Sequence, residues 1–137
     1  DVTLDFLDLS PINEHAPAAA GIPYGYIREE GLRVGIYRRL AEASDSGDLA
    51  QLEAELADRF GPLPAPTRRL LAVGAIRLCA ADHAIRRVET RGRKLMLTGA
   101  SDYLMHGTRF PRLQADDTDA RLDEIAELIK TSGQWSR

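Results

Sequence analysis

Two carboxylates three residues apart, Glu55 and Asp58, stand in the stretch ELADRFGPLP, ahead of a glycine and two prolines. On a helix that spacing puts both on one face. Two acids on a face can divide general-acid and general-base work, but only in a cleft that drives their pKa values apart. The helical pattern provides no such cleft, so catalysis is the weakest reading. A solvated charged face is the local alternative, because Glu55 precedes Arg59 by four residues, the favourable order for an ion pair. Docking of a cationic partner is the third reading. Asp58, in the last helical turn, opposes the helix dipole, and a cation from elsewhere would compensate. Charge pattern alone ranks the solvated face ahead of docking.

Other chemistries find less support. The sequence contains no GxxxxGK[ST] loop, no GxGxxG between a strand and a helix, and no GxSxG elbow. Cys79 is the single cysteine and lies in an apolar run, which implies a small core residue in a reducing compartment. His15, His83 and His106 are too scattered for a zinc motif. Arg86, Arg87, Arg91, Arg93 and Lys94 crowd one hairpin and could meet phosphates, which makes a small nucleic-acid-binding module the alternative function. Glu89 interrupts that run and no aromatic residue accompanies it, so arginines guarding a sheet edge are the simpler reading. Tyr24, Tyr26 and Tyr37 lie near Arg33, Arg38 and Arg39, a pattern of loop packing on a helix. Arg38 and Arg39 project to water or to neighbouring acids and are candidates for a secondary contact.

These residues need elements to place them. The chain has 137 residues, enough for one domain spanning 1–137, and a formal net charge of −3, which excludes a global field for nucleic acid or an anionic membrane. The amino end lacks the basic and apolar regions of a signal peptide. The most apolar segment, Leu70 to Ala81, is short and broken by Arg77, so no membrane span is expected. A start at Asp1 rather than Met implies a piece of a longer protein, and the lone thiol fits the reducing cytoplasm.

DVTLDFLDL (residues 1–9) alternates as a half-buried strand does. Residues 10–23, rich in Pro, Ala and Gly, read as a loop. Leu32, Ile36, Tyr37 and Leu40 set a helix over about 29–43. Asp45 or Ser46 caps a second helix over about 49–60, with Leu49, Leu52, Leu56 and Phe60 on one face and Asp48, Glu55 and Asp58 roughly 110° round. Gly61 supplies a positive-φ stop, and Pro62 and Pro64 forbid continuation. Pro66 opens a third helix, about 67–81, apolar nearly all round and therefore central. Strands over 84–90 and 93–98 meet at Arg91-Gly92; RFPRLQA (residues 109–115) adds a short edge strand containing Pro111. Asp117 or Thr118 caps a last helix with Leu122, Ile125, Leu128 and Ile129 inward, and the tail SGQWSR frays. The fold class is α+β: three to four helices packed on a small, mostly antiparallel sheet with a β-hairpin.

Three segments then carry a resemblance: IPYGYI (22–27), LRVGIYRRLAEA (32–43) and LEAELADRFGPLP (52–64). Together they resemble the C-terminal domain of the bacterial transcription-repair coupling factor. The matching positions are Arg33, Tyr37, Arg38, Arg39 and Leu40 on one helix and Glu55, Leu56, Asp58, Arg59, Phe60 and Gly61 on the next. The resemblance is specific over about 22–81, and the loop over 10–21 is longer than the family's. It implies a regulatory module without a catalytic site or cofactor of its own. The parent would be an ATP- and Mg-dependent translocase on double-stranded DNA in transcription-coupled nucleotide excision repair. The domain would dock on a UvrB-like module of the same chain through Glu55 and Asp58, with Arg59 beside them. That contact would mask a surface for UvrA and restrain a motor that acts on RNA polymerase.

Overall fold

The computed structural model describes residues 1–9 and 15–135. The expected loop over 10–21 and the last two tail residues thus fall partly outside the described residues. The chain divides into two compact units, residues 8–75 and residues 1–7 with 76–137.

In the unit of residues 8–75, Asp8 bridges Ala19 before the helices begin. Helix α1 runs Glu30–Glu42. Its N-cap, Glu29, offers no side-chain bond; instead Arg33 Nη1 donates to the carbonyls of Ile27 and Arg28, 2.8 Å each, and its guanidinium lies over the Tyr24 ring. The loop packs on the helix as the Tyr/Arg pattern predicts: the Ile22 N–H also donates to Tyr37 Oη. Tyr37 itself remains 38% exposed, so it belongs to the rim of the apolar face.

Helix α2 runs Ser46–Phe60 and starts where the cap residue predicts, with the Asp45 carboxylate accepting from the Asp48 N–H. The Asp48 carboxylate in turn accepts from the Ser44 N–H and hydroxyl, which holds it below the usual range. Leu49, Leu52 and Leu56 form the buried face. At the other end Gly61 has φ 88° and ψ −174°, a conformation open essentially to glycine alone.

Helix α3 runs Ala65–Asp82, and the division between the units falls inside it. Thr67, 1% exposed, donates to the Gly21 carbonyl, and the Gly21 N–H donates to that of Pro66. The helix closes on Ala84, the one non-glycine residue with positive φ (57°) among the described residues. The Ile85 N–H reaches the Ala80 carbonyl and the Ala84 N–H that of Ala81, a Schellman closure.

In the other unit β1 (Val2–Leu4), β2 (Arg87–Arg91), β3 (Lys94–Thr98) and β4 (Tyr103–Leu104) form one sheet in that order. The β1–β2 pair is parallel and the others antiparallel. With helix α4, Thr118–Thr131, capped by Asp117 and burying Leu122, Ile125 and Ile129, the structure is α+β as expected. Val88, Leu95 and Leu97 are fully buried.

Several expectations need correction. The first strand stops at Leu4, because the Asp5 carboxylate turns the chain by accepting from Thr90 Oγ1 and the Gly92 N–H, 2.8 Å each. Strand β2 begins at Arg87 rather than Ala84, since Ala84 is committed to the helix end. The turn is Gly92-Arg93, with Arg91 paired to Lys94. The hairpin is no edge: β2 and β3 are the inner strands, and Met96 is buried beside its neighbours. Residues 109–115 give only bridges, His106 to Arg109 and Lys94 to Arg112, while the short β4 takes the edge. The tail continues into a 3-10 turn, Ser132–Gln134, after which the Trp135 ring lies 4.4 Å from that of His106.

Candidate functional site

The acidic face of α2 keeps one of its expected features and changes another. Glu55 does not pair with Arg59. Its Oε2 lies 2.5 Å from Arg39 Nη1 of α1, and its Oε1 accepts from Gln51 Nε2 at 3.3 Å. Arg59 instead lies over the Phe60 ring, 5.0 Å from its centroid. The Arg39 hydrogen bond, more than any other influence, holds the Glu55 carboxyl below the usual carboxylate range; the same bond raises the Arg39 guanidinium. The Asp58 side chain is exposed and makes no hydrogen bond or ion pair among the described residues.

Tyr26 fixes the end of the helix that carries these acids. Its hydroxyl points at the Gly61 carbonyl (2.8 Å) and the Leu56 carbonyl (3.2 Å), and its ring tilts against Phe60 at 5.8 Å. Burial pushes the Tyr26 phenol up. The IPYGYI turn therefore grips the last turn of the acidic helix, a link that short-range spacing cannot reveal. The i,i+4 pair of Gln51 and Glu55 is legible in sequence. The Arg39–Glu55 pair, sixteen residues apart, needs the packing of α1 beside α2. Arg38 is exposed.

The basic hairpin is largely committed to its own unit. Arg93 Nη1 donates to the carbonyls of Leu113, Gln114 and Ala115, and Nη2 pairs with Asp116. Lys94 lies over the Phe110 ring, Arg86 donates to the Ala100 carbonyl, and Arg87 stands 3.6 Å from Asp1. Cys79 is half-buried, its thiol pushed up by burial, with Sγ 4.0 Å from His83 Nδ1. No group of three His, Cys, Asp or Glu residues that could hold a metal occurs among the described residues. Nor is any helix among them long and apolar enough to cross a membrane.

With this geometry in view, comparisons place the chain. A family model, the TRCF domain, matches residues 16–106. The transcription-repair-coupling factor of Mycobacterium bovis is 48% identical over 62 residues, 45% of this chain and 5% of that protein. That of Escherichia coli K12 is 37% identical over 68 residues, 50% of this chain and 6% of that protein. That of Myxococcus xanthus is 29% identical over 119 residues, 86% of this chain and 10% of that protein. The chain thus spans a small fraction of these relatives. A crystal structure of the C-terminal domain of transcription-repair coupling factor shares the fold, with TM-score 0.58 and 23% identity over 72% of this chain and 55% of that one. On the match to residues 16–106, this chain belongs to the TRCF domain family.

Proposed function

We propose that this domain is a non-catalytic docking module that restrains a longer transcription-repair coupling factor. It docks through the Glu55–Asp58 face of α2 on a UvrB-like module of the same chain, and the docked state covers a surface used by UvrA. ATP, Mg and double-stranded DNA belong to the remainder of that longer chain, which acts on stalled RNA polymerase.

The observation that carries this reading is Asp58: an exposed carboxylate in the last turn of α2, its side chain without a partner among the described residues, beside a second acid on the same face. Its placement against the helix dipole is relieved by a cation from outside. Exposed charge pairs are individually weak, each contributing about 0–1 kcal/mol. A contact built on them orients the docked state yet leaves it reversible, so a competing partner shifts a population.

The test reverses both charges, Glu55→Lys with Asp58→Lys, in the full-length protein. Tighter UvrA binding together with raised basal ATPase is expected. Unchanged values of both would sink the docking reading.

A further inference from the structure

Glu55 and Asp58 share a face but not a condition. Asp58 is open, whereas both oxygens of Glu55 are engaged inside the domain, Oε2 by Arg39 and Oε1 by Gln51. We propose that Arg39 is an internal competitor for the docking site: it holds Glu55 in the undocked domain, and docking exchanges this guanidinium for one supplied by the partner. The inference rests on the docking reading above and names what regulates the strength of that contact.

The geometry supports an exchange and not a fixed strut. The Arg39 and Glu55 side chains are each 44% exposed, so the pair is open to water and to an approaching partner. An incoming guanidinium takes a carboxylate best through two parallel N–H···O bonds. That fork uses both oxygens of Glu55, each of which already accepts one bond, so Arg39 and Gln51 compete with it for the same carboxylate. Arg39 does not depend on Glu55 for acidic surroundings. It also lines a crevice of about 190 Å³ together with Glu42 and Asp48, two further carboxylates. Asp58 requires no exchange, so it is the half of the face that can engage first.

The competitor role makes an unusual prediction of sign. Removing a residue that merely supports the acidic helix would weaken docking. Removing a competitor frees Glu55, raises the negative charge of the face, and strengthens docking. The experiment compares the unaltered full-length protein with Arg39→Gln, Arg39→Lys and Asp58→Lys, reading UvrA affinity, basal ATPase and the thermal midpoint.

Arg39→Gln is expected to tighten the closed state, lowering UvrA affinity and basal ATPase by about threefold, the scale of one exposed pair. The difference should shrink as salt rises. Arg39→Lys, which keeps a cation beside Glu55, should stay close to the unaltered protein, and Asp58→Lys should move both readouts the opposite way. If Asp58→Lys loosens the protein while Arg39→Gln leaves it unchanged or loosens it too, docking stands and the competitor role is overturned. If Asp58→Lys also changes nothing, the docking reading fails and takes the inference with it. A lowered thermal midpoint with loosened closure in Arg39→Gln would assign Arg39 a structural role instead.

Discussion

Arg39 Nη1 of α1 lies 2.5 Å from Glu55 Oε2 of α2, joining two helices through a residue that the helical register alone would have given to Arg59. The pair fixes how Glu55 responds to acid. Its folded pKa is depressed, chiefly by the Arg39 hydrogen bond. A depressed carboxylate stabilises the fold fully above its unfolded value, about 4.3, and loses that contribution as pH falls through the folded pKa. Glu55→Gln should therefore flatten the acid limb of the stability curve below about pH 4.5 while the fold persists at neutral pH. Urea unfolding followed from about pH 7 to pH 2 checks this. Asp48 and Asp116, also depressed, should keep part of the slope in the variant.

Ala84 occupies a position that glycine fills at lower cost. It closes α3 at φ 57°, where an L side chain pays about 1–2 kcal/mol. Ala84→Gly removes that strain but adds freedom to the unfolded chain. The balance should stabilise by about 0.5–1 kcal/mol, seen as a raised denaturant midpoint with an unchanged m-value.

What the sequence makes legible follows from the range of the forces involved. Helix α2 is nearly complete in the text, because Asp45, the leucine spacing, Gly61 and the two prolines act within a few residues. Helix α4 is readable for the same reason, through Asp117 and its apolar stripe. Strand β1 is shortened by Asp5 reaching Thr90 and Gly92, a contact across more than eighty residues that no local pattern encodes. The start of β2 was hidden by an alanine doing a glycine's work at Ala84. At the candidate site the shared face of Glu55 and Asp58 is a matter of helical period. The partner of Glu55 is not, since it depends on the packing of α1 beside α2.

Arg93 illustrates a cation whose role is internal. Its guanidinium gathers three successive carbonyls, Leu113, Gln114 and Ala115, and pairs with Asp116. A lysine keeps the charge but cannot reproduce that fork. Arg93→Lys should cost roughly 1–2 kcal/mol. It should also speed amide exchange at Leu113, whose N–H donates to the Arg93 carbonyl, and at its neighbours. Exchange rates indistinguishable from those of the unaltered protein would show that the segment is held by other contacts.

Tyr26 explains why IPYGYI and ELADRFGPLP occur together. The hydroxyl of the first motif supplies a donor to the Gly61 carbonyl, which the helix end leaves unmet, and also faces the Leu56 carbonyl within the last turns. Tyr26→Phe preserves the ring and its packing against Phe60 but deletes that donor. The loss of one such bond should destabilise by about 1 kcal/mol. Because Asp58 sits in the turn so released, the same change should weaken docking without altering any charge. The two effects separate by salt dependence. Loss of a charge at the interface changes the slope of affinity with ionic strength, whereas a loosened helix end lowers affinity at every salt concentration alike. A Tyr26→Phe variant as stable as the parent would show that the two motifs are joined by ring packing alone.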